Sequence, residues 1–465
     1  MGALDGLSVV QLGNGVAAPV LGMLLADQGA SVVAVGSPHG DVVPGPGPAI
    51  WARGKQCVVL DLRDAPDRDA LSALIDAADV VIDGMPPGRL ARFGVTVPSS
   101  ASRVWCALPG FPEGHELTDA KAWEGVVGAA TGLYDPPIGS RPGFTSIPVA
   151  SMLAAMLGAN GVLAALLARH RDGRGQRVEV PLFGAALLAQ ELTALVTHSP
   201  PHAWHTLQWA ASPFLAPWRT AEGWLYVHAG QPAHAAALLD ALEDVDPDVI
   251  GALRRRLSDA TLADPSRPAT VRQAEAVRKA LQRVFLHKTA SEWEDRLDHL
   301  CVVAVRSGAA WVDHAQPNAT GEVVVRQDPT WGALPQPGVQ VRLSDAPGEV
   351  GQREVQTSSP ARIAAGWRRR TTWVVEEQAA QASAPLTGKV VYDLTQVIAG
   401  PVAARTLAEL GATVIRVENP RLVAGWADAF HVAFNSGKTS IALDLTTQQW
   451  EQTTRRLGRS AQAEQ

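Results

Sequence analysis

Cysteine is scarce: Cys57, Cys106 and Cys301 are the only three in 465 residues, far apart and with no C-x-x-C pair. That excludes a disulfide framework and a structural zinc site, so no metal is expected, and it points to a reducing cytoplasm. Charge is thin as well, at 18% of residues with a formal net charge of -6. A general nucleic-acid or membrane-surface binder wants a basic face, and a net charge of this sign argues against one; it is compatible with a local cationic pocket for a phosphorylated cofactor. The opening residues, MGALDGLSVV, lack a basic segment ahead of an apolar core, and Gly6 breaks the myristoylation pattern. One uncharged apolar run, 147–168, is long enough to span a bilayer. It holds Pro148, Ser151 and Asn160 and runs straight into RHRDGRGQ, so a buried core helix is expected there and no membrane span.

What is present is length for two or three domains and a composition rich in Ala, Val, Leu and Gly. The first forty residues read strand, glycine-rich turn, helix, strand: LSVVQL (7–12), GNGVAAP, VLGMLLADQGA ending at Gly29 as a helix stop, and SVVAV (31–35). The rhythm continues with CVVLDL (57–62), the helical DRDALSALIDAA, DVVIDG (79–84) and VWCAL (104–108). Helices are expected over 121–134 and 151–169, then a strand at RVEVPL (177–182). Short strands alternating with helices predict an α/β fold, a Rossmann-like, parallel, doubly wound sheet. From about 205 Trp and His thicken, GWLYVHA (223–229) reads as an antiparallel strand, and helices run to about 315. The expected organisation is a large domain over 1–205, a small α/β domain over 206–317, an extended return and connector over 318–385, and a partial second module over 386–465.

The opening recurs. Residues 4–38 align without a gap to 386–420, with 14 of 35 positions identical, and 54–62 match 437–445 at five of nine. Lys55 and Lys438 hold the same position in the two copies. The second copy stops before its equivalents of 79–190. Its strands are then expected to lack sheet neighbours and to leave Val390, Val391, Leu394, Val414, Ile415 and Val417 uncovered, which predicts packing against another polypeptide.

Several motifs in one order carry a resemblance. L-x-G-x-x-V…A-x-P…LAD-x-GA-x-V-x-x-V is followed by RGK-x-x-x-x-LDL, then ADV…PPG-x-L-x-R-x-G, then LLAR-x-R-x-GRGQ-x-V-x-V. The chain resembles the family III CoA-transferases, the carnitine-dehydratase and bile-acid-inducible group, over roughly 1–345 and again over 386–445. The resemblance implies a large Rossmann-like domain, a smaller α/β domain and dimers interlocked like chain links. It also implies coenzyme A as the cofactor, carried as an acyl-CoA substrate, with a carboxylic acid as acceptor.

Residue by residue, the motifs read two ways. Gly13-Asn14-Gly15-Val16-Ala17-Ala18 fits a dinucleotide turn, but the acid that a ribose wants after the next strand is Gly36. A tight turn is favoured over NAD binding, and the resemblance puts CoA against Val16 and Ala17. Lys55 is either a phosphate contact or a solvated loop lysine. Met85 and Arg92 flank a loop that the resemblance lays along the nucleotide; Arg92 alone reads equally as a surface charge. Lys121 and Glu124 sit one helical turn apart, either as a surface ion pair or as a phosphate contact and an acid–base group near the thioester.

The resemblance places at position 151 an aspartate that attacks the thioester and carries the acyl group. Ser151 stands there, with no acid within five residues. A helix-capping serine is favoured over a nucleophile, because a serine forms no mixed anhydride and the sequence puts no base beside it. The racemase branch wants His-Asp at 123–124, where Trp123 and Glu124 stand. Three readings follow. One is CoA transfer with the nucleophile supplied by a partner in a homo- or hetero-oligomer. The second is a non-catalytic CoA-binding pseudoenzyme subunit. The third is an NAD-binding oxidoreductase, which lacks its ribose acid.

Overall fold

The computed structural model describes residues 2–39, 45–95, 102–120, 122–134, 141–191, 212–266, 268, 270–355, 359–368, 384–420 and 433–444. The chain divides into two compact units, Met1–Glu191 with Ala315–Gln465, and Leu192–His314.

In the first unit, the opening rhythm yields β1 (Ser8–Leu12), α1 (Ala17–Asp27), β2 (Ser31–Gly36), α2 (Gly47–Trp51), β3 (Lys55–Val59), α3 (Ala65–Ala77), β4 (Val80–Asp83), α4 (Arg89–Arg92), β5 (Val104–Ala107), α5 (Glu124–Thr131), α6 (Val149–Asp172), β6 (Arg177–Glu179) and α7 (Leu182–Ala189). Six of these strands and the late strand Glu354–Val355 form one parallel sheet, in the order Glu354–Val355, β3, β2, β1, β4, β5, β6. This is the parallel, doubly wound α/β sheet that the alternating pattern predicts. Both faces are covered, so the strands are apolar throughout rather than alternating. Val9, Val32, Val80 and Ile82 face the layer of α1 and α6, while Val10, Val33 and Val81 face the layer of α3. Gly29, at φ +98, ends α1 as its sequence position suggests.

The helix α6 is long and apolar enough to cross a membrane. It is built into the core instead: Ala150, Ala154, Ala155, Val162 and Ala165 pack with α1 residues Ala17, Ala18 and Leu21. At its far end the buried Arg169 guanidinium donates to Asp79 at 3.3 Å and to the Ser102 carbonyl at 3.1 Å. Asp79 in turn accepts from the Ser8 amide and hydroxyl, which ties α6 to the amino ends of β1 and β4.

The segment expected as extended strands and a connector is only partly so. Val323–Asp328 and Gly332–Pro337 form an antiparallel hairpin, but Pro360–Arg368 is a helix. Its Ala364 and Trp367 are buried against the α3 side of the sheet, and the Trp367 indole donates to Ser31 at 3.1 Å. The need to cover that face outweighs the Pro- and Gly-rich surroundings.

The repeat forms a three-stranded parallel sheet, Val390–Asp393, Thr413–Glu418 and Thr439–Ala442, with the helix Ala399–Glu409 over it. Val414 packs with Ala404 of that helix, and Val414 and Val417 are both buried, so these two correct the expectation that they lie open. Val390 and Leu394, at 37% and 51% exposure, do lie open. Arg405 joins the repeat to the rest of the unit by an ion pair with Glu191 at 2.6 Å.

The second unit is an antiparallel three-stranded sheet, Leu215–Arg219, Trp224–His228 and Val302–Ala304, under helices that include Pro232–Glu243 and Val271–Phe285. Its core is Trp218, Phe285 and Trp293 with the leucines of those helices.

One buried ion pair holds the return hairpin in the first unit. Arg53 and Asp27, 2% and 3% exposed, meet at 2.6 Å. The same guanidinium donates to the Gln336 side chain and to the carbonyls of Pro337 and Gly338. Arg53→Met therefore strands a buried carboxylate and several acceptors at once, and should cost about 3–5 kcal/mol in urea unfolding. Burial already raises the Asp27 pKa against the pull of Arg53. Without Arg53 it rises further, so folded Asp27 takes a proton at a pH where the unfolded chain does not. The deficit should shrink as pH falls.

Candidate functional site

In a doubly wound parallel sheet, ligands bind outside the carboxyl ends of the strands, where the winding reverses. Here the chain winds from β1 outward to β3, then returns past β1 to β4. The reversal lies between β1 and β4, and the turns after them line it.

These turns touch backbone to backbone. Gly13 has φ +94, and a Cβ there would lie 2.7 Å from the Gly84 carbonyl. A Cβ on Gly84 would lie 2.7 Å from that of Ala18. No side chain caps the amino terminus of α1 at Val16. Val16 is half-buried and Ala17 buried, so what the first turn of α1 offers at the crevice is backbone N–H groups and its dipole. On the β4 side, the Met85 amide donates to the Asp83 carboxylate at 3.0 Å, and the Met85 side chain packs partly on the α3-side core. Burial raises the Asp83 pKa. Arg92 ends α4 and is exposed.

Lys55, expected as a phosphate contact or a solvated loop lysine, is buried instead. It is 1% exposed, and its ammonium donates to Gln11 Oε1 at 2.6 Å and to the Pro19 carbonyl at 2.7 Å, beneath α1. The cause is register: Lys55 opens β3 opposite Val32, and its side chain falls on the α1 face. Burial lowers its pKa to about 7.

The other end of the site is the start of α6. As the crossover between β5 and β6, α6 begins at the carboxyl edge of the sheet, the edge where α1 also begins. Ser151 is buried in its first turn and does not cap it. Glu124, the first residue of α5, does. Its carboxylate accepts from the amides of Ala150 at 2.7 Å and Ser151 at 2.9 Å, and from the Ser151 hydroxyl at 2.6 Å. Glu124 thus supplies both the negative charge that a helix amino terminus favours and the base that the sequence did not place beside Ser151. Lys121 lies outside the described residues.

Around this pair is an apolar rim that sequence reasoning missed. Trp123, Phe144 and Ile147 are exposed at 55%, 71% and 65%. Phe144 meets Tyr134 edge-on at 5.5 Å, and burial, then the Glu124 charge, raises the Tyr134 phenol pKa. Phe144 and Ile147 stand in a Pro- and Gly-containing stretch, RPGFTSIP; large apolar residues in such a loop were the available signal. His115 packs on Phe111 and Phe183, at 5.1 Å from each, as a loop histidine. Among the described residues no cluster of His, Cys, Asp and Glu could hold a metal.

The sequence profile of CoA-transferase family III matches residues 4–354 and 386–463. The chain is 25% identical over 98% of its length to the CoA-transferase/lyase DddD of Marinomonas sp. (strain MWYL1), and it spans 61% of that relative. It is 30% identical to the succinyl-CoA:mesaconate CoA-transferase of Haloarcula hispanica, over 53% of this chain and 69% of that one. Among solved structures, Rv3272 of M. tuberculosis is similar at TM-score 0.65 and 22% identity, covering 78% of this chain and 99% of that one. A CAIB/BAIF family protein of Brucella suis is similar at TM-score 0.61 and 22% identity, covering 79% and 99%. At such identities the two structures support the fold alone.

The Glu124 cap is separable from the hydroxyl it holds. Glu124→Ala should cost about 2–3 kcal/mol in urea unfolding, because it removes a cap and leaves the Ser151 hydroxyl buried without its acceptor. Ser151→Ala should cost about 1 kcal/mol. Equal costs for the two would show that the carboxylate does not cap α6.

Proposed function

The chain belongs to CoA-transferase family III, and on that premise we propose that it binds an acyl-CoA across the β1/β4 crevice. In this reading it acts in CoA transfer between carboxylic acids as one subunit of an assembly. The backbone at Val16 and Ala17 takes the thioester end of CoA, while Met85, Arg92 and Lys121 lie along the nucleotide and its phosphates. The thioester comes to the start of α6, beside Glu124 and Ser151, and the acyl group to the rim of Trp123 and Phe144. The family uses CoA thioesters, and the amino end of α1, without a side-chain cap, supports an anionic ligand there.

One observation carries the subunit reading: the Ser151 hydroxyl, at the aspartate position, is bound to Glu124 at 2.6 Å. A serine forms no acid anhydride, and this carboxylate already accepts from three donors. The nucleophile therefore comes from a second polypeptide that carries the aspartate. The second copy supports a partner. In the first copy β1 pairs with β2 and β4; among the described residues the matching strand Val390–Asp393 pairs only with Thr413–Glu418. Beside that edge Leu394, Val397 and Ile398 are 51%, 50% and 39% exposed. A separate subunit or another copy of this chain covers them. The same hydroxyl–carboxylate lock favours a second reading, a non-catalytic CoA-binding subunit. Three cysteines scattered through the chain with no C-x-x-C pair, Cys57, Cys106 and Cys301, support a reducing cytoplasm.

Titration calorimetry with CoA and with acetyl-CoA should show saturable binding; no heat up to millimolar ligand would sink the proposal. Hydroxylamine should trap no acyl-enzyme on the isolated chain, and an acyl adduct on Ser151 found by mass spectrometry would overturn the subunit reading. Light scattering should report an oligomer. Mixing with an aspartate-bearing partner should give transfer that neither shows alone, which separates the first reading from the second.

A further inference from the structure

The two copies solve one packing problem in two ways, and the difference identifies a function for the buried lysine. In the first copy Lys55 donates to Gln11 and to the Pro19 carbonyl, at 2.6 and 2.7 Å. In the second, Lys438 donates to the matching Pro401 carbonyl at 2.7 Å, to Asp393 at 2.8 Å and to Asn435 at 2.9 Å. The bond to the proline carbonyl in the first turn of the helix is common to both. Asp393 occupies the position of Gln11, and Ala404 that of Gly22.

These two exchanges are coupled by volume. A Cβ on Gly22 would lie 2.7 Å from Gln11 Oε1 and 3.0 Å from Lys55 Nζ. In the second copy the acceptor side chain is one methylene shorter, and the helix carries the missing methyl at Ala404, itself buried. Gln11 with Gly22 and Asp393 with Ala404 are thus alternative fillings of one space beneath the same turn.

We propose that Lys55 is a positioning residue for the turn of residues 13–17. It clamps α1 from beneath through the Pro19 carbonyl, and the Gln11–Gly22 pair leaves that clamp without a carboxylate in contact. The groups facing Lys55 are few. Gln11 comes from β1, Pro19 from α1 and Cys57 from β3. Asp27, at the end of α1, is already paired with Arg53. In the second copy, burial works to raise the Asp393 pKa, and the Lys438 ammonium with the Thr395 donors overrides it and keeps the carboxyl below its ordinary range. No such partner meets the charge on Lys55.

The sign of the pH effect follows. Burial lowers Lys55 from 10.5 to about 7, so between those values the unfolded chain holds a proton that the folded chain does not. Stability therefore rises with pH across that window, and the cost of the buried charge is complete below it.

Urea unfolding of the full chain tests the clamp without any ligand. Gly22→Ala and Gln11→Asp should each lower the unfolding midpoint, the first by a clash and the second by a gap. Together they should recover it, with a coupling of roughly tenfold in the folding constant. The double variant and Lys55→Met should both flatten the rise of stability between about pH 7 and 10. Additive effects of the pair, or a rise that Lys55→Met leaves intact, overturn the clamp. The effect on the turn rests on the CoA reading above. Calorimetry with CoA should show Lys55→Met weakening binding roughly tenfold, one hydrogen bond's worth, while the double variant retains it. If wild type binds no CoA, the CoA reading fails and the unfolding cycle still decides the clamp.

Discussion

The site depends on a backbone contact. A Cβ on Gly13 would strike the Gly84 backbone, and a Cβ on Gly84 would strike Ala18 in the first turn of α1. That contact brings the turn after β1, the first turn of α1 and the turn after β4 to one crevice. The repeat lacks the first of these glycines. Thr395 replaces Gly13, and its amide and hydroxyl donate to Asp393, so the turn is drawn toward its own strand. The residue that lets β1 meet a neighbour is missing from the copy in which no neighbour is seen among the described residues.

The chemical end of the site follows from the charge of a helix terminus. The start of α6 favours an anion, and the aspartate implied by the resemblance would bring one from position 151 itself. With Ser151 there, the anion comes from Glu124 on another helix. The terminus remains neutralised and the fold is kept, but the carboxylate is now committed to three donors. An aspartate at position 151 would bring the charge from the helix itself; here the cap comes from Glu124 on α5.

Much of this was legible in the sequence. The strands β1 to β5, the stop at Gly29, the antiparallel strand 224–228 and the repeat all follow from periodicity, glycine placement and self-similarity. What was not legible depends on direction rather than type. A lysine after a glycine reads as exposed, and only its register against Val32 turns Lys55 inward. The simultaneous change of Gln11 to Asp393 and Gly22 to Ala404 between the copies was the signal that could have placed it. Ser151 read as a cap because serine caps helices, whereas α6 begins two residues earlier and is capped from outside. The helix Pro360–Arg368 was hidden because its stability comes from the sheet face that it covers.

The sheet of the first unit ends on a strand drawn from residues 354–355, which pairs with Gln56 and Cys57. During synthesis the outer edge of β3 must therefore wait while the whole of Leu192–His314 is made. That unit has its own core and is complete before its host is. Such long-range parallel pairing is slow to close, because its loop entropy is spent before its contacts form. The nascent chain thus carries an open strand edge for most of its elongation. Arg53, which reaches from just before β3 to the return hairpin, is placed to register the late arrival.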